Sequence, residues 1–157
     1  MPTKAHTALA LAMCLFFSVE VIAAATVKFD KTEYLPPKTE GSKKESNPVK
    51  GDVCFDKETK TLTFVDDKGH TVVSIPYDKI KSMLYEKTSH PRYAEAILLS
   101  PFFLFTKTKK HFLTIQYTDV GGDGKFTMIH LDKSNAREIV AEAEADTGKK
   151  VEQAEEK

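Results

Sequence analysis

Between residues 49 and 132, apolar side chains recur at every second position, and each such run ends in a turn. That period belongs to strands, whose successive side chains point to opposite faces. VKGDVCFD places Val53 and Phe55 on one face, and after Lys57-Glu58-Thr59 the run TLTFVD does the same with Leu62 and Phe64. Asp66-Asp67-Lys68-Gly69 is a second turn, built from residues that tolerate its dihedrals. HTVVSIPY follows with Val73, Ile75 and Tyr77, and Pro76 assigns its end to a sheet edge or a bend. DKIKSMLYEK is a less regular fourth strand. KHFLTIQYTD carries Leu113, Ile115 and Tyr117, Val120 to Gly124 form a Gly-rich hairpin loop, and KFTMIHLD returns as its partner.

After the strands, NAREIVAEAEADTGKK has helical period, with Ala136, Ile139, Val140 and Ala143 on one face. Asn135 or Ser134 is expected to cap it, with Glu138 supporting an Asn135 cap. Gly148 is expected to stop it, and Lys149 and Lys150 suit the negative end of its dipole. A curved antiparallel sheet leaves one end open, and a single C-terminal helix closes it economically.

The two flanks differ from this domain. Lys4 precedes a long apolar run, residues 5 to 25, that ends in Ala23-Ala24-Ala25. This is the layout of a secretory signal with cleavage after Ala25. An uncleaved anchor is the alternative, since about 20 apolar residues span a bilayer, but Glu20 would be costly there. Cys14 does not make a lipoprotein box, because Met13 is bulky and the apolar run continues past it. Residues 26 to 48 open with a short strand-like piece, Thr26 to Phe29. Pro36-Pro37, Gly41, Ser42, Ser46 and Pro48 then lie among charges, so a flexible linker is expected. Residues 151 to 157 read as a polar tail.

Lys and Arg total 23, as do Asp and Glu, and this balance lacks the basic excess of a nucleic-acid binder. Signal removal leaves one cysteine, Cys54, so no internal disulfide is expected. Its place between Val53 and Phe55 reads as a half-buried small hydrophobe.

The element order resembles the pleckstrin-homology-like (PH-like) superfamily, in particular its GRAM-like and bacterial PH-like members, over about residues 49 to 150. The carriers are the Gly51–Phe55 opening strand, Ile75-Pro76-Tyr77-Asp78-Lys79-Ile80 leading to Tyr85, the Lys110–Tyr117 strand and the helix ending at Thr147-Gly148. The resemblance implies a mainly β fold with one helix: a small antiparallel barrel of two packed sheets capped by the C-terminal α-helix. It also implies a lipid- or protein-binding module that is mostly not an enzyme. The chain departs from eukaryotic members in lacking a basic motif across its first hairpin and a Trp in its helix, so phosphoinositide binding is not implied.

One segment invites a functional reading. Ile97-Leu98-Leu99 and Phe102-Phe103-Leu104-Phe105 bring seven large apolar side chains into one short run, broken by Ser100-Pro101. It is too short to cross a membrane. Lys87 and Arg92 precede it, and Lys107, Lys109, Lys110 and His111 follow. As a contact loop it would insert apolar side chains worth ~1.5–3 kcal/mol each, with nearby lysines adding about 1 kcal/mol each at an anionic surface. As core it would supply apolar mass to a domain without disulfides. A division is expected: Ile97 to Leu99 buried, and part of Phe102 to Phe105 exposed. The expected contact set is Phe102, Phe103, Leu104, Phe105, Lys107, Lys109 and Lys110.

Catalytic signatures do not follow. His70, His90, His111 and His130 lack zinc-site spacing, although His111 and His130 fall in one hairpin. Asp119, Asp123 and Asp132 lack a calcium-loop pattern and read as turn formers. The sequence therefore implies an exported, non-catalytic interaction module of a bacterial cell envelope, with no cofactor or metal. Its expected partner is an anionic lipid surface or an envelope protein. A carrier holding a small apolar ligand between sheet and helix, and a signal-anchored scaffold, are the alternatives.

Overall fold

The computed structural model describes residues 26–38, 47–97 and 108–155. The expected signal segment and most of the apolar-basic run lie outside them. Eight strands form one sheet: β1 (Val27–Leu35), β2 (Val49–Asp56), β3 (Thr61–Asp66), β4 (Thr71–Pro76), β5 (Ile80–Thr88), β6 (Lys110–Thr118), β7 (Gly124–Leu131) and β8 (Val151–Glu155). Helix α1 (Ala136–Thr147) lies between β7 and β8. The strand order is β4-β3-β2-β1-β7-β6-β5-β8, antiparallel throughout except for the parallel β5–β8 pair. Among the described residues the fold is mainly β with one α-helix. Its strands form one continuous, unclosed sheet rather than two separate ones.

The sheet curls so that both halves share one core. Val53, Phe55, Leu62, Phe64 and Ile75 come from β2–β4; Met83, Tyr85, Leu113, Ile115, Ile129 and Leu131 come from β5–β7. Val53, Phe55, Leu62, Phe64, Ile75, Leu113 and Ile115 are the alternating residues that the sequence pattern singles out. Helix α1 inserts Ala136, Ile139, Val140 and Ala143 into this core and packs on β2, β8 and the 3₁₀ turn Tyr77–Lys79. Gly148 ends the helix with φ 66°, a left-handed conformation that Gly adopts without penalty.

Three expectations need correction. First, the strand at Thr26 to Phe29 continues to Leu35, so residues 30–35 are sheet rather than linker. A bulge between Phe29 and Thr32, with Lys31 at φ 56°, re-aims the strand. Thr32 to Leu35 then pair with Leu131 to Met128, and β1 joins the two halves of the sheet. Second, the polar tail contains β8, whose Val151 is 1% exposed and belongs to the core. Third, Asn135 sits at the helix start but its side chain makes no cap. Its Nδ2 donates instead to the Asp30 carbonyl at 2.6 Å, tying α1 to β1.

Cys54 is buried and free, on the face opposite Val53 and Phe55, and burial pushes its thiol pKa up. His111 and His130 do not meet. His111 stands opposite Leu131 and Phe112 opposite His130, so the two imidazoles lie on opposite faces. The Asp119 carboxylate accepts the Asp123 N–H at 2.9 Å, the work of a turn former.

Candidate functional site

The outer face of the central strands carries a second apolar cluster. Leu35 (β1), Met128 (β7), Phe112 (β6) and Ile97 are each 0–1% exposed and pack together. Residues alternate here as on the inner face: Leu113 points into the main core, so Phe112 points out of it. A face this apolar on the outside of a sheet needs a cover. The arm that leaves β5 supplies part of it, crossing residues 89–97 back over the sheet.

That arm is held at three places. The Arg92 backbone N–H is donated to both Glu86 carboxylate oxygens, at 3.3 and 3.2 Å, and the Arg92 guanidinium reaches Glu152 of β8 at 3.3 Å. The Tyr93 ring stacks on Phe126 at 5.8 Å, and its hydroxyl accepts from Gln116 Nε2. Ile97 bridges to Pro37, and the Lys38 N–H is donated to the Ala96 carbonyl at 2.9 Å. Burial pushes the Glu86 carboxyl above its ordinary range, and Arg92 only partly offsets this.

The apolar-basic run therefore starts from an anchored residue. Ile97 is buried, while Leu98 and Leu99 lie outside the described residues. Phe102, Phe103, Leu104, Phe105 and Lys107 lie outside the described residues. Lys109 is exposed. Lys110 opens β6 opposite Thr88 and is half-buried; burial lowers its pKa and Glu33 acts the other way. Glu33 accepts from His130 Nδ1 at 3.0 Å, and His130 packs against the Phe112 ring at 5.6 Å.

Sequence reasoning missed the groups that hold the arm: Glu86, Tyr93 and Gln116. A buried Glu in a strand with ragged alternation was the available signal, since burial of a carboxylate demands donors. Among the described residues, no three His, Cys, Asp or Glu side chains gather as a metal-binding set. No described helix is long and apolar enough to cross a membrane.

No family model matches this chain, and no curated protein matches it. Among solved structures it is similar to one described as the structure of the Spt16D Pob3N heterodimer, with a TM-score of 0.50 at 12% identity. The match covers 86% of this chain and 57% of that one, so the chain spans little more than half of its neighbour. The likeness is one of fold, and it supports a PH-like arrangement of sheet and C-terminal helix.

Proposed function

We propose that this protein is an exported, non-catalytic interaction module of the cell envelope that contacts an anionic membrane surface through residues 102–110. The observation that carries this reading is the anchoring of the run at both ends. Ile97 is sealed into the outer cluster on one side, and Lys110 is fixed in β6 on the other. A rigid scaffold that holds the stems of an apolar-basic loop suits a contact device, because ordering entropy is already spent at the stems.

Phe102, Phe103, Leu104 and Phe105 would enter the interfacial region, while Lys107 and Lys109 would stay with anionic headgroups. Lys110, being half-buried, would contribute less. The carrier reading draws less support, because Ile139, Val140 and Ala143 fill the space between sheet and helix.

Both apolar clusters draw their described members from between Val27 and Val151, so the test uses residues 26–157, without the apolar N-terminal stretch. Co-sedimentation with anionic vesicles should be strong at low salt, fade at high salt and be absent with neutral vesicles. Phe103→Asp should abolish it. Full binding by that variant would end the loop reading. No binding by the parent would turn attention to a protein partner, a role compatible with a fold found in a heterodimer.

A further inference from the structure

The inner face of the sheet changes character where β5, β6 and β8 run past the start of α1. Tyr85 and Leu113 are the last core residues there. Beyond them, Lys87 of β5 stands directly opposite His111 of β6, and Gln153 of β8 lies beside Tyr85. Lys133 and Arg137 close the other side, from the turn before α1 and from its first turn. Tyr85, Lys87, His111, Lys133, Arg137 and Gln153, with Ala136, line a cleft of about 440 Å³. That size suits a small organic ligand rather than a bare ion.

The cleft gathers three cations, with Glu155 of β8 as the register partner of Lys87. Lys87, Lys133 and Arg137 form no ion pair with a described carboxylate. Asp132 is the acid that acts on His111, and its Oδ1 accepts from the N–H and hydroxyl of Ser134. The Tyr85 hydroxyl and His111 Nδ1 are 2.6 Å apart, which fixes the imidazole in the cleft wall. Gathering three cations around one concavity costs repulsion that a bound anion would relieve. Burial, then Lys87, His130 and Lys133, hold His111 below the ordinary imidazole range, and Asp132 acts the other way.

We infer that this cleft binds a ligand bearing a phosphate monoester, with Lys87, Lys133 and Arg137 holding the phosphate and Tyr85, His111 and Gln153 facing the remainder. A monocarboxylate brings a single charge to three cations. A phosphate monoester brings nearly two, with oxygens that accept both an Arg fork and lysine point charges. The cleft opens at the end of the sheet where the apolar-basic run re-enters at Lys110. The phosphate can therefore come from a lipid headgroup or from a free solute. The site itself does not depend on the membrane contact proposed above.

Calorimetric titration of the purified full-length protein with glycerol 3-phosphate tests it, with glycerol and acetate at matched ionic strength as controls. Saturable binding by the phosphate alone is expected, weakened about tenfold or more in Arg137→Gln and in Lys87→Gln. Arg137 is exposed, so that variant should keep its circular dichroism spectrum and melting temperature. Absence of binding, equal heat from acetate, or unchanged affinity in both variants would overturn the site. Competition by phosphatidic acid vesicles, but not by phosphatidylcholine vesicles, would support the site and identify a headgroup as the source. Binding of the soluble ester without such competition would support the site and identify a free solute.

Discussion

The Glu86 carboxylate, 4% exposed, accepts the backbone N–H of Arg92 through both of its oxygens. One acidic side chain thus fastens the arm that leads to the apolar-basic run. Burial raises its pKa, with Arg92 pulling the other way. An acid whose folded pKa is raised binds its proton more readily in the folded state, so stability falls as pH rises from the ordinary value of 4.5 through the raised one. Glu86→Gln keeps an acceptor for the Arg92 N–H and removes this slope. It should be at least as stable as the parent at pH 7. Glu86→Ala leaves the N–H without an acceptor and should lose ~1–3 kcal/mol. Urea denaturation across pH separates the two, and a Gln variant as weak as the Ala variant would show that the charge itself holds the arm.

Gly51 should tolerate no side chain. A Cβ there would run into the Val65 carbonyl oxygen, inside the β2–β3 pairing. Its own carbonyl accepts from Thr32 Oγ1 at 2.8 Å, so a shift of β2 also disturbs the β1 bulge. Gly51→Ala is expected to cost about 3 kcal/mol, read as a lowered denaturation midpoint. A change within ~0.5 kcal/mol, the range of an ordinary surface substitution, would mean that β2 and β3 can separate freely at this point.

The strands from β2 to β7 and the helix were legible because each carries its own period and its own stop. Phe55, Leu62, Ile115 and Ala143 advertise their faces locally. Residues 30–35 do not, because their charges and the following prolines mimic a linker. What recruits them is Leu131 to Met128, nearly a hundred positions away. β8 shows the same difficulty with even less apolar content. The arm clamp and the basic cleft each assemble side chains from several elements, so no motif spacing announces them. In the cleft, Tyr85 and Gln153 are neighbours only because β5 pairs with β8.

Val151 carries β8. It pairs with Met83, its N–H is donated to the Glu144 carboxylate at 2.8 Å, and its side chain is 1% exposed. Val151→Ala should cost about 2 kcal/mol, and Val151→Asp more, because it buries a charge without a partner. Hydrogen exchange should show β5 amides losing protection in the Asp variant, since β5 would become an open edge. Unchanged protection would mean that β8 is held by Arg92–Glu152 rather than by Val151.

His111 and His130 should together make the fold acid-sensitive. Burial is the main cause of the lowered pKa in both; Lys87 adds to it at His111, and Glu33 opposes it at His130. Above the ordinary value of 6.5 both rings are neutral whether the chain is folded or not. Below it the unfolded chain takes up protons first, so stability falls as pH falls, until the depressed folded values are passed. This slope is opposite in sign to that of Glu86, and His111→Asn and His130→Asn should each flatten part of it. Ring-proton NMR titration gives the two imidazoles separately. A phosphate monoester bound beside Lys87, Lys133 and Arg137 should raise the His111 titration midpoint and leave that of His130, on the opposite face, nearly unmoved. Equal movement of both would indicate general screening by the anion rather than occupation of the cleft.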